Sequence, residues 1–339
     1  MKLYDEEWKA FQAYQEAEGS EFPTLTQKQK DDLLAYSREL KDWQRENPTV
    51  HNLLTLAVVL VNVSLIAVLG FVVPAAVDLG PLAQVFLSVA YGLAAYGLTV
   101  YSLHELNGHN QGFRGRGALV RAGNFVALNL CRIFHADPEF YKTQHYSHHS
   151  LVATREDRAF TNAISLRRFL VSIIPFSVAT PFCDYKIHTS DEWSRSKAAS
   201  ELVSLGLLLS ICANLYVHQG PANVLIFAAV APWASFFFDR LRETSEHNFM
   251  PGQRGNEARS FGLTFWGLVV GGGPWGQCCH LAHHLAPSLP WYLQLRLQRR
   301  LERTLDERQK KVFLRGGFVD YLVLWKEIFS KQKIYFSQS

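Results

Sequence analysis

Residues 53–73 read LLTLAVVLVNVSLIAVLGFVV. An uncharged apolar run of this length, rising about 1.5 Å per residue as a helix, crosses a hydrocarbon core of about 30 Å. It opens a longer block, 53–103, that contains no Lys or Arg, and a second such block covers 198–239. Each block turns back once, the first through Asp78, Gly80 and Pro81, the second between His218 and Pro221. Neither turn carries a basic residue, whereas the three segments outside the blocks carry all of them. The positive-inside rule therefore puts both termini and all three long segments on the cytoplasmic side. The expected fold is an all-α membrane protein with four transmembrane helices in two hairpins and a cytosolic helical cap.

Working outward, residues 1–50 form a charged, helix-patterned arm, cytosolic or interfacial, in which Thr26 and Gln29 make a capping box. Residues 51–295 hold the membrane domain and its cap. Residues 296–339 divide into a basic helical run, 296–311, and an amphipathic piece built on Phe318, Tyr321, Leu324, Trp325 and Phe329. The apolar stretch 169–182 is too short to span and is interrupted by Pro175 and Pro181, so it reads as interfacial or re-entrant, as does 119–134. The glycines of GGGPWG, 271–276, lack the Lys-Ser/Thr of a phosphate loop and read as a flexible turn. The net charge of +4 does not gather around base-reading or stacking modules, which argues against a nucleic-acid partner. The five cysteines form no CxxC pair and fit reduced, buried thiols.

The 13 histidines are distributed unevenly. His104 and His109 form HELNGH where the second span ends; His145, His148 and His149 form HYSHH; His280, His283 and His284 form HLAHH. His247 follows the fourth span. On a helix, positions i, i+3 and i+4 share one side, so each HxxHH box projects three imidazoles together. The i and i+5 pair of the first box is splayed by about 140° on an α-helix, which suits two ligands serving two different ions. Nine neutral imidazoles exceed the needs of one ion and fit two, each with four or five ligands. The rival reading is a non-catalytic zinc-binding membrane protein, such as a zinc transporter or a metal-binding receptor; a transporter would carry ionisable ligands at mid-membrane. The spans offer little beyond Asn62 and Asn214, and Asp78 and Glu201 lie at span ends.

The order HxxxxH, HxxHH, two spans, a lone histidine and a final HxxHH resembles the membrane fatty acid desaturase superfamily over roughly residues 53–295. The continuation HHLAPSLPWYLQL, 283–295, is similar to one common there, and the four-residue spacing of the first box resembles desaturases more than sterol-desaturase relatives. The resemblance implies two non-haem Fe ions at the cytosolic end of a four-helix bundle, with O2 as co-substrate and a lipid-like acyl chain in a tunnel beneath. The implied ligands are His104, His109, His145, His148, His149, His247, His280, His283 and His284. Relatives of the acyl-CoA type often place Asn four residues before the lone histidine; this chain has Glu243, a carboxylate able to ligate iron, support a ligand or pair with Arg242. Glu105, Asp157 and Glu246 are the nearest acids that could orient ligands through their outer nitrogens. For the last two, pairing with Arg155, Arg158 or Arg242 is an equal account. The expected reaction is desaturation of a fatty acyl chain, with hydroxylation or ketolation as the alternative, since the PWY segment also resembles carotenoid ketolases and hydroxylases. With no fused haem or flavin module, electrons must come from an external carrier, a ferredoxin or a b-type cytochrome with its reductase.

Overall fold

The computed structural model describes residues 2–134, 136–157, 164–173, 193–252, 255–275 and 277–336, and among these it is helical without strands. Four helices are long and apolar enough to cross a membrane: α3 (Pro48–Ala76), α4 (Pro81–Gly108), α8 (Arg195–Gln219) and α9 (Pro221–His247). The remainder builds the cap. In chain order these helices are α1 (Lys2–Glu18), α2 (Gln27–Glu46), α5 (Ala118–Asn129), α6 (Pro138–Leu151), α7 (Leu166–Ser172), α10 (Phe265–Val270), α11 (His280–Leu285), α12 (Trp291–Thr304), α13 (Glu307–Phe313) and α14 (Phe318–Tyr335).

Local chemistry sets these boundaries. Pro48, Pro81, Pro138 and Pro221 each occupy the first turn of a helix, where a missing N–H costs nothing. Thr26 and Gln29 cap α2 reciprocally as the spacing predicts, and Asp137 caps α6. Gly220, at φ +81°, lets α8 reverse directly into α9. The turns of the two hairpins are tied together at one end. Gln219 accepts from the backbone N–H of Leu79, and Asn223 donates to the Leu79 carbonyl.

The spans present Leu53, Leu60, Leu82, Phe86, Leu202 and Leu225 outward, the apolar surface that lipid would cover. Inside, α4 and α9 cross closely: a side chain at Gly92 would meet the Ala231 carbonyl at 2.5 Å. Tyr91, Ala95, Leu98, Ile211, Leu215 and Phe227 fill the space between the hairpins. The cap is a second core, in which Leu33 and Leu40 of α2 pack with Leu293, Leu297 and Leu301 of α12. The N-terminal arm is thus integrated with the C-terminal helices, and α1 packs on α14 through Tyr14, Phe249 and Tyr335. Both α5 and α14 keep an apolar outer face, Leu119, Phe125 and Val126 on one, Val319 and Leu322 on the other, as interfacial helices do. The 169–182 stretch is described only through α7 and Ile173; its remainder, with Arg158 and Cys183, lies outside the described residues. The glycine turn at 271–273 is packed rather than flexible. Gly271 is closed in by the backbone of Cys278, and Gly272, at φ +77°, lies against Tyr96 and Val100.

Candidate metal centre

The first box departs from α-helical geometry. The end of α4, Tyr101–Gly108, is π-helical, and the His109 N–H donates to the His104 carbonyl over five residues at 3.1 Å. One π turn brings i and i+5 onto the same side, so the rings of His104 and His109 lie 4.8 Å apart. The expected splay, and with it the assignment of this pair to two ions, is corrected: both histidines enter one cluster.

That cluster comprises His104, His109, His145, His149 and His283. The adjoining one comprises His148, His247 and His284, with His280 joined to it through His247 and His284. The boxes therefore interlock. On α6, His145 and His149 face the first group and His148 the second; on α11, His283 faces the first, and His280 and His284 the second. All nine predicted histidines are brought together, and all but His149 are buried. Gly108 permits this approach, since a side chain there would meet His145 Cδ2 at 2.7 Å.

Their Nε2 atoms converge. In the first group His145 Nε2 is 2.7 Å from His109 Nε2 and 3.1 Å from His149 Nε2, and His149 Nε2 is 3.0 Å from His283 Nε2. In the second, His280 Nε2 is 2.9 Å from His247 Nε2 and 3.1 Å from His284 Nε2. Two imidazole ligands at right angles on an ion with bonds of about 2.1 Å sit about 3 Å apart.

The outer nitrogens explain why a cation suits this packing. His148 Nδ1 meets Asp157 at 3.0 Å, His284 Nδ1 meets the Glu257 carboxylate at 3.3 Å, and His247 Nδ1–H donates to the Glu257 carbonyl at 2.7 Å. His280 Nδ1 lies 2.5 Å from Gln277 Oε1 and 3.5 Å from Glu246. In the first group Glu105 supports His104 at 3.3 Å, the Tyr141 hydroxyl sits 3.3 Å from His145 Nδ1, and the Gln294 amide is 3.1 Å from His283 Nδ1. Where an oxygen acceptor faces Nδ1, as at His104, His148, His247, His280 and His284, the proton held there leaves Nε2 as a bare lone pair. Several such lone pairs face one another at 2.9–3.1 Å, and the buried His104 Nε2 has no hydrogen-bond partner among the described residues. This donor set fits two nitrogen-ligated transition-metal ions.

Electrostatics in the cap agree. Burial, reinforced by neighbouring imidazoles, holds His145, His149, His280 and His283 well below the ordinary histidine range, and pushes His109 down to about 3. These rings are neutral and ready to ligate. His148 differs: burial opposes its charge, but the adjacent Asp157 outweighs that and raises it.

Of the acids singled out in the sequence, Asp157 and Glu105 contact histidines directly. Glu246 does both things considered for it, pairing with Arg242 at 2.6 Å and reaching His280. Arg155 pairs with Asp5. Glu243 lies outside both histidine groups, in ion pairs with Arg240 at 2.6 Å and Arg242 at 3.3 Å. Sequence reasoning missed Glu257, Gln277, Gln294 and Tyr141. Tyr141 stands one turn before His145, Gln277 three residues before His280, and Gln294 in the segment after the last box, spacings that could have marked them. Glu257 had no such signal.

Fold and site together define an integral membrane protein built around two adjoining imidazole clusters. The sequence model of the fatty acid desaturase family matches residues 79–316, more than two thirds of the chain and every histidine of the site. The chain belongs to that family, and so to enzymes that carry out oxidation of the lipid desaturase or hydroxylase type. No curated protein and no solved structure matches it significantly.

Proposed function

We propose that this protein is a di-iron oxidoreductase that desaturates a fatty acyl chain, with the nine histidines as its metal ligands. The observation that carries the reading is the convergence of Nε2 atoms whose Nδ1 partners are already fixed. Two irons bound there supply, with O2 and electrons from an external carrier, the oxidising power needed to remove hydrogen from an unactivated C–H bond. The chain's part is to hold and to exclude. His104, His109, His145, His149 and His283 hold one ion; His148, His247, His280 and His284 hold the other. Asp157, Glu257, Gln277 and Glu105 fix ring orientation. The buried cap keeps bulk water from the reacting carbon. Glu243 acts through Arg240 and Arg242, neutralising guanidinium charge at the cytosolic end of α9 beneath the site.

The reading is tested by expression in a host of defined lipid composition, followed by mass spectrometry of lipids and pigments. The expected product is an acyl chain two mass units lighter, absent with His148→Ala. An alcohol or ketone product would reassign the enzyme to hydroxylation or ketolation. Identical profiles from the active chain and His148→Ala, with tightly held zinc, would overturn the oxidoreductase reading.

A further inference from the structure

The helix α12 touches the site on one side and water on the other. Its buried side carries Leu293, Leu297 and Leu301 in the cap core, and Gln294, whose amide donates to Glu105 at 3.3 Å and lies 3.1 Å from His283 Nδ1. Its exposed side carries Arg296, Arg299, Arg300 and Arg303. The spacing i, i+3, i+4, i+7 places all four on one stripe. None is paired with a carboxylate among the described residues. Arg296 lies over the Trp43 ring at 6.0 Å and Arg300 over Tyr36 at 5.9 Å, which holds two of the guanidinium groups against the cap surface.

Charge is concentrated here. Residues 291–313 contain seven basic and three acidic side chains, a net +4 equal to that of the whole chain, so the other residues sum to neutrality. Positive-inside bias counts Lys and Arg in every cytosolic segment and does not require one of them to carry the whole net excess. A headgroup-binding helix would expose apolar residues beside its cations. The exposed positions of α12 are these four arginines, whereas the apolar outer faces belong to α5 and α14.

We propose that the arginine stripe of α12 is the docking surface for an acidic one-electron carrier protein. The proposal rests on the oxidoreductase reading and adds the place of electron entry. Desaturation converts –CH2–CH2– and O2, with two electrons and two protons, into –CH=CH– and two waters; hydroxylation also takes two electrons. The carrier therefore docks twice per turnover, each time giving up one electron and leaving oxidised. Its reducing group then lies on the far side of a single helix, about 10–12 Å across, from Gln294 and the His283 imidazole. Complementary charge on such a stripe speeds encounter and makes it salt-dependent.

The test uses the full chain in neutral phosphatidylcholine nanodiscs, with an acidic plant-type ferredoxin and the acidic soluble domain of a b-type cytochrome as probes. Binding is measured directly at low and raised salt, and turnover with each carrier and with a small uncharged reductant. Replacing the four arginines with Gln is expected to weaken binding of at least one carrier about tenfold or more and to remove its salt dependence. Turnover with the small reductant and metal content should stay unchanged, and the fourfold Arg→Lys variant should retain binding. Unchanged binding of both carriers in the Gln variant overturns the proposal. So does a variant whose only defect is lost affinity for phosphatidylserine vesicles. Absence of turnover with the small reductant in the unmodified protein would count against the oxidoreductase reading alone, because carrier binding is read separately.

Discussion

Glu257 serves two histidines at once, its carbonyl accepting from His247 and its carboxylate from His284. Glu257→Gln keeps the shape and removes the charge. We expect metal to be held about 10–100-fold less tightly in the second group while the first is retained, so iron per chain should fall toward half under chelator challenge. Loss of both ions together, or of neither, would contradict this division of labour. The depressed histidines also set a pH dependence. His109 titrates near 3 in the folded chain and near 6.5 unfolded. Between those values the unfolded chain binds more protons, so its contribution to stability is present above pH about 6.5 and lost as pH falls toward 3. His145, His149, His280 and His283 act in the same direction, while His148, raised by Asp157, opposes them. Denaturant unfolding of the metal-free protein should show stability decreasing from pH 7.5 to 5.5; a flat or rising profile would refute the neutral-imidazole account.

Among the elements, the π-helical end of α4 is decisive. It converts an HxxxxH spacing into a pair on one face and leaves Gly108 against His145. Gly108→Ala should push the His145 ring away and cut metal bound by the first group several-fold, with helix content by circular dichroism unchanged. Full metal content would show that the contact relaxes freely. Here lies the limit of what was legible in the residues. The histidines and four spans could be read because periodicity and charge segregation are local. The π turn could not: Asn107-Gly108 marks where the helix stops, but nothing in Tyr101–Leu106 distinguishes a π turn from continuing α-helix. Nor could the division into groups of five and four, because an HxxHH box shows that three rings share a side and says nothing of which faces which ion. Glu257 escaped notice for a related reason: its loop meets α9 and α11 only through the fold.

At the scale of the whole molecule, both hairpin turns are tied at one end and every predicted ligand lies toward the other. Cysteines introduced at the exposed positions Asp78 and Lys311 should react with an impermeant thiol reagent from opposite sides of a sealed vesicle. Labelling from the same side would break the four-span topology. The interlocking boxes carry a consequence for biogenesis. Each group draws on α11, the last ligand-bearing helix to leave the ribosome, and on α4 or α9 from opposite hairpins. Neither group is complete while the nascent chain is short of His283, so capture of the proposed ions would follow translation and insertion of the second hairpin. Until then five histidines stand as an open, half-built chelate, and on the di-iron reading the cell's handling of the newborn chain in that interval would decide which metal it matures with.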